Sequence, residues 1–347
     1  MRRNKLGRTD IEVSDLCLGT MTFGEQTSKQ DAFRQLDMAS EHGINFLDTA
    51  EAYSTVPMRR ETAGDSERII GEWMQATGKR DAYIIATKIA GEGCRTVRGG
   101  EPIDGASLRL AAEDSLRKLQ TDVIDVYQLH WPNRGSYHFR KYWHYDPSHQ
   151  PRGATEDEVL DILTAANALI REGKIRTIAL SNESAWGTMQ FLQVAEENNL
   201  PRVVSIQNEY SMMCRVFDTD LAEMCHHEDV GLLSFSPLAA GLLTGKYQHD
   251  EVPEGSRRAV QHDLSGRING RSIAAVAAYQ DYAKSQGIDL AHMALAFVRA
   301  RPFTATAIFG TTSSAQLEYL LAGKDLELSE GQMMEINRIN RAHPMPF

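Results

Sequence analysis

The chain has 347 residues, 42% of them apolar and 24% charged, with a formal net charge of −10. That length allows one large domain or two, and that composition belongs to an ordinary globular protein rather than a disordered or fibrous one. The acidic balance argues against a general polyanion-binding surface, and hence against nucleic acid as a partner.

Cys17, Cys94, Cys214 and Cys225 are far apart in sequence with no Cys-x-x-Cys spacing, so reduced, mostly buried thiols are expected rather than a disulfide framework or a zinc site. The opening MRRNKLGRTD has no apolar run behind its basic residues, and no later stretch approaches the roughly 20 apolar residues of a membrane helix. A cytoplasmic protein with no membrane partner is expected.

Residues 3–13, RNKLGRTDIEV, place turn residues between two short alternating arms and predict a hairpin. After it come eight short apolar runs: LCLG near 16, INFLDTA near 44, AYIIATKI near 82, VIDVYQLH near 123, IRTIALSN near 175, VVSIQNEY near 203, GLLSFSPL near 231 and TATAIFG near 304. Their almost continuous apolarity is that of strands covered on both faces of a parallel sheet. Between them lie segments with helical spacing and readable ends. Ser28, with Asp31 three residues on, starts one such segment and Asp104 another, while Gly43 and Gly78 stand where left-handed C-caps would end two.

Eight strands alternating with eight helices predict a (β/α)₈ TIM barrel, a single α/β domain over 1–347, with the hairpin closing its bottom. No G-x-G-x-x-G follows the first strand, which leaves an open doubly wound sheet as the minor alternative. Ser329 followed by Met333, Ile336 and Ile339 predicts an extra C-terminal helix over 329–343. Inserts after the fourth and seventh strands, about 133–152 and 238–270, would emerge at the C-terminal face, where barrels carry their active sites.

In that frame the strand ends point into one mouth. The second strand ends at Asp48, the third at Lys88, the fourth at His130; later ends bring Ser181, Asn182, Gln207, Phe235 and Ser236. Singly each has an ordinary explanation: a capping carboxylate, a lysine reaching solvent, a histidine satisfied by a carbonyl. Together with Tyr53 they compose a proton-transfer device. A phenol with a pKa of about 10 holds its proton at neutrality and is a sluggish acid, and a neighbouring Lys88 is expected to lower that value. Asp48 would keep Lys88 charged, and His130 would polarise a carbonyl oxygen. None of these groups donates hydride, so carbonyl reduction needs a cofactor. A Schiff-base role for Lys88 conflicts with a carboxylate beside it, and His130 and Asp48 alone make a poor metal site.

GTMTFG at 19–24, FLDTAEAYS, GDSERIIGEW, ATKI, DVYQLHWP, GKIRTIALSNES, IQNEYS and SPLAAGLLTGKY occur in the order found in aldo-keto reductases, and the chain resembles that family over essentially its whole length. Among its subgroups the sequence is most similar to bacterial Tas-type proteins and, more distantly, to potassium-channel β-subunits. The resemblance implies NADPH-dependent reduction of aldehydes and ketones, with Asp48, Tyr53, Lys88 and His130 as the catalytic tetrad and Tyr53 as proton donor. It assigns the nicotinamide carboxamide to Ser181, Asn182 and Gln207, with Asp48 beside them, and the face of the nicotinamide ring to Phe235. It assigns the diphosphate to Ser236, Leu238, Gly241 and Lys246, and makes Thr20 and Arg257 further cofactor contacts, the latter with a one-residue offset. Gly310, Thr312 and Gln316 stand at the adenosine end. There the family pattern of Gln followed by Glu and Asn is broken by Tyr319 and Leu320, and no arginine is present to grip a 2′-phosphate. NADP(H) is the implied cofactor, and NAD(H) remains open.

Met21, Tyr53 and Trp131 are the implied substrate wall. The insert NRGSYHFRKYWHYDPSHQ packs five aromatics and three histidines into 18 residues. It reads either as a self-packed loop or as a wall suited to planar or apolar carbonyl compounds. The basic pair in MRRET at 58–62 either faces solvent or attracts anionic substrates. A partner-binding, redox-sensing regulatory subunit loaded with NADP is the alternative to an enzyme. The oligomeric state is not legible.

Overall fold

The computed structural model describes residues 1–151 and 153–347. Strands β1 (Arg3–Lys5) and β2 (Glu12–Ser14) form the expected antiparallel hairpin, Arg3 opposite Ser14 and Lys5 opposite Glu12. Its Leu6, Ile11 and Val13 pack with Cys17, Phe46, Ala86, Val126, Ala179 and Leu233, which fill the lower barrel. That placement closes the end opposite the strand C-termini.

The barrel consists of β3 (Leu16–Gly19), β4 (Phe46–Asp48), β5 (Ile84–Ile89), β6 (Ile124–Leu129), β7 (Ile175–Ser181), β8 (Ser205–Glu209), β9 (Gly231–Phe235) and β10 (Ala305–Phe309). All pairings are parallel, and β10 pairs with both β9 and β3, so the sheet closes. Each strand coincides with one of the eight apolar runs.

Around it lie α1 (Lys29–Glu41), α2 (Asp65–Thr77), α3 (Gly105–Leu119), α4 (Ala154–Arg171), α5 (Ala185–Glu197), α6 (Asp220–Glu228), the short α7 (Arg257–Val260), α8 (Gly270–Ser285), α9 (Leu290–Arg299), α10 (Ser314–Ala322) and α11 (Glu330–Ala342). The ends form as the sequence suggests. Ser28 accepts from the Asp31 amide, Asp104 and Ser107 make a capping box, and Gly78 closes α2 in the left-handed region. Inside α2, a Cβ on Gly71 would lie 2.4 Å from the Lys118 carbonyl oxygen. Only glycine lets α2 and α3 approach that closely.

One element departs from the expected count. The connection from β9 to β10 holds two long helices, α8 and α9, where one was expected. The extra α8 buries Ala275, Val276, Tyr279 and Ala283 and lies against α11, so the C-terminal helix has a partner of its own. Among the described residues no helix is long and apolar enough to cross a membrane.

Candidate active site

The parallel ladder aligns Asp48 with Ala86, Lys88 with Gln128 and Ser181 with Gln207, which gathers their side chains in one layer at the mouth of the barrel. Lys88, fully buried, donates from Nζ to Asp48 Oδ2 (2.7 Å) and to the Thr49 carbonyl (2.8 Å), and lies 3.4 Å from Tyr53 Oη. The other Asp48 oxygen accepts from Gln207 Nε2 (2.7 Å) and Gln128 Nε2 (3.2 Å). Both carboxylate oxygens are therefore satisfied, as a buried charge requires.

Tyr53 arrives on the loop after β4. Glu51 ties that loop down, accepting from the Ala90 amide (2.7 Å) and Arg98 Nε (3.1 Å). His130 sets its ring edge-on to Tyr53 at 5.8 Å, and its Nδ1 is buried without a partner. Burial, and after it the Lys88 charge, hold His130 well below the usual histidine range. The imidazole is neutral at pH 7, with one N–H and one lone pair.

Burial alone would push the Lys88 ammonium down in pKa, but the attraction of Asp48 and of the Tyr53 oxygen outweighs it, and the net shift is upward. Lys88 stays charged, as expected. Tyr53 corrects the sequence reading. Burial raises its hydroxyl above the ordinary value, Asp48 adds to the rise, and Lys88 pulls the other way without prevailing. The pairwise effect of Lys88 has the expected sign, but removing the phenolate from water is the larger effect.

These groups open onto a cavity of about 660 Å³. Asp48, Tyr53, His130 and Trp131 line its floor with Met21 and Thr20, whereas Lys88 and Ser181 lie behind the surface. Ser181 Oγ donates to the Gln207 carbonyl (2.8 Å) and accepts from Asn182 Nδ2 (3.0 Å), so it positions Asn182 rather than facing the cavity. Asn182 Oδ1 is buried with no partner. It stands ready for an N–H donor.

Phe235, Ser236, Leu238, Gly241 and Lys246 line the next sector. Ser236, Ala239, Ala240 and Gly241 all have positive φ, a winding typical of backbone nests that bind anions. At Gly241, with φ of +95°, a Cβ would also meet the Tyr247 ring at 3.3 Å. Neither Lys246 nor Arg257 has an ion-pair partner among the described residues. Arg257 faces the cavity, whereas Arg258 turns to Asp250 and the Glu251 carbonyl (2.9 Å). Burial, and next the charge of Arg267, bring Arg257 down to about 10.

Gly310, Thr312 and Gln316 line the far end together with Tyr319 and Leu320. Gln316 Oε1 accepts from the Thr312 amide (3.0 Å) and hydroxyl (3.1 Å). Among the described residues no lysine or arginine from this end lines the cavity.

The insert after β6 is anchored rather than merely self-packed. Ser136 Oγ donates to the Asn182 carbonyl (2.8 Å), His138 Nε2 to the Glu183 carbonyl (2.9 Å) and Arg134 to the Glu183 carboxylate (2.9 Å). Phe139 and Arg140 line the cavity, while Tyr137 packs on Tyr145 and Tyr142 on Trp143. From MRRET only Met58 reaches the wall; Arg59 and Arg60 are exposed.

Sequence reasoning missed Gln128, Glu51, Arg140, Glu209 and Arg267. For Gln128 a signal existed: it is polar in an apolar strand and shares a face with His130. The others have meaning only in three dimensions.

A closed parallel barrel with charged and phenolic groups gathered at its C-terminal mouth is the architecture of a barrel enzyme. Residues 15–341 match the family described as the aldo/keto reductase family. Protein tas of Escherichia coli is 42% identical over 349 residues, covering 100% of this chain and 99% of that protein. An uncharacterized oxidoreductase of Bacillus subtilis, YrpG, is 31% identical over 98% of this chain and 96% of its own. An aryl-alcohol dehydrogenase of Pestalotiopsis microspora is 28% identical over 94% of this chain and 79% of its own. The chain belongs to the aldo/keto reductase family and is an oxidoreductase.

Proposed function

We propose that this oxidoreductase reduces aldehydes and ketones to alcohols with NADPH, in the cytoplasm, and that Tyr53 protonates the substrate oxygen. The carrying observation is the Tyr53 hydroxyl at the cavity floor, 3.4 Å from a lysine that Asp48 holds charged.

The residues present fit the cofactor. An orphaned buried acceptor on Asn182 suits a carboxamide N–H, the left-handed winding after β9 suits a diphosphate, and Lys246 and Arg257 are cations with no ion-pair partner among the described residues, Arg257 donating only to Gln261 Oε1 (3.3 Å). Asn182 and Gln207, steadied by Ser181, would orient the carboxamide, and Phe235 would lie under its ring. Ser236, Leu238, Gly241 and Lys246 would hold the diphosphate, with Arg257 and, at the floor, Thr20 as further cofactor contacts; Gly310, Thr312 and Gln316 would take the adenosine. When bound, the nicotinamide supplies the hydride.

His130, neutral, donates one hydrogen bond to the carbonyl oxygen and fixes it beside Tyr53 Oη. As negative charge develops on that oxygen, Tyr53 gives up its proton, and the Lys88 ammonium stabilises the phenolate left behind. Asp48 keeps Lys88 charged and in place. The walls of Trp131, Phe139 and Met58 favour planar apolar carbonyl compounds, in keeping with a relative named an aryl-alcohol dehydrogenase. Steady NADPH oxidation on adding benzaldehyde tests the reading: sustained turnover supports it, and its absence with every aldehyde and ketone tried rejects it.

A further inference from the structure

Beside the catalytic floor, two arginines share one carboxylate. Arg140, from the insert after β6, donates to Glu209 Oε2 (2.8 Å), and Arg267, from the insert after β9, donates to Glu209 Oε1 (2.8 Å). Both arginines line the cavity, and Glu209 is buried beneath them. Two guanidinium charges against one carboxylate leave a surplus of one positive charge at the cavity wall. Arg140 binds Glu209 through one terminal nitrogen, and its other nitrogens make no hydrogen bond among the described residues.

The backbone supports a functional orientation. Phe139 and Arg140 are consecutive non-glycine residues with φ of 58° and 63°, sparsely populated values that persist only where surrounding contacts impose them. Those contacts are the anchors of the insert to Asn182 and Glu183. A chain of rings connects the two ends of this wall: Tyr53 to His130 at 5.8 Å, His130 to Trp131 at 4.9 Å, and Trp131 to Phe139 at 6.0 Å. A run of aromatic rings therefore leads from Tyr53 past His130 to Phe139, the residue before Arg140.

We propose that the cavity takes aromatic aldehydes bearing a carboxylate remote from the carbonyl, and that Arg140 binds that carboxylate. The proposal rests on the reductase reading above. The surplus of one charge fits a monoanion, and a guanidinium edge fits a planar carboxylate.

The test compares 4-carboxybenzaldehyde and 4′-formylbiphenyl-4-carboxylic acid with their methyl esters, in the wild type, Arg140→Met and Arg140→Lys. Glu209 keeps Arg267 in both variants, and a thermal unfolding midpoint near the wild-type value checks the fold. For at least one acid and ester pair, the kcat/KM ratio is expected to fall about tenfold or more in Arg140→Met, mainly through KM, and to recover partly in Arg140→Lys. Unchanged ratios for both pairs overturn the proposal, as does a loss in Arg140→Met confined to NADPH affinity.

Calorimetric binding of 4-(hydroxymethyl)benzoate and 4′-(hydroxymethyl)biphenyl-4-carboxylate to the NADP⁺-loaded chain reads the same site without turnover. At least tenfold weaker binding of either in Arg140→Met supports the proposal; equal binding of both contradicts it. Arg140-dependent binding without reduction of any aldehyde would reject the reductase reading and leave the carboxylate site standing.

Discussion

Lys88 and Asp48 meet at 2.7 Å with both side chains buried, and the contact fixes the lysine within reach of Tyr53. A buried pair of this kind contributes little net stability, yet removing one partner strands the other charge in an apolar setting. Lys88→Met is therefore expected to destabilise the fold by about 3–5 kcal/mol. Adding Asp48→Asn should restore part of that loss without restoring turnover. Urea unfolding of the single and double variants measures both; equal stability of Lys88→Met and wild type would contradict the buried-charge reading.

The pH dependence of reduction follows from two directions of shift. His130 is held well below the usual histidine range, so it is neutral across the neutral region and does not titrate there. Tyr53 is held above its ordinary value, so it keeps its proton across the same region and beyond it. The single-turnover rate of reduction should be flat between about pH 6 and 9 and decline only in strong alkali. A step between pH 6 and 8 that disappears in His130→Gln would contradict this assignment.

Glu209 links stability to acid. Burial alone would raise its carboxyl, but Arg267 and Arg140 outweigh burial and hold it below the ordinary range. With the folded value depressed, its stabilising contribution is complete above the unfolded value of about 4.3 and is lost as the pH falls through the folded value. Glu209→Gln should lower unfolding free energy at pH 7 and make a smaller difference at pH 3. A variant equally destabilised at both values would show that the charge is not the cause.

Lys246 is proposed to bind the diphosphate, which NADPH and NADH share. Lys246→Met is expected to weaken both cofactors about tenfold and leave their affinity ratio unchanged. Fluorescence titration with each cofactor checks this. Loss confined to NADPH would move Lys246 to the 2′-phosphate, at the end of the cavity where Thr312 and Gln316 supply no cation.

The barrel was legible because strands buried on both faces leave unbroken apolar runs, and each coincides with a strand. The gathering of Asp48, Lys88 and His130 followed from strand ends alone. By contrast, the second helix between β9 and β10 was not foreseen: α8 buries small residues, Ser272, Ala275 and Ala283, beside Val276 and Tyr279, which leaves a weak periodic signal. Arg140, Glu209 and Arg267 lie 69 and 58 residues apart and no local pattern links them. The balance at Tyr53 was misjudged for a related reason: the neighbour Lys88 can be inferred from sequence, but the depth of burial depends on loops from several strands.

The central claim is that the Tyr53 hydroxyl delivers the proton. Stopped-flow hydride transfer from NADPH to benzaldehyde in Tyr53→Phe, with NADPH affinity measured in parallel, tests it most directly. The account predicts cofactor binding within about twofold of wild type and a rate reduced by about 10²–10⁴-fold. A rate within a few-fold of wild type would contradict it.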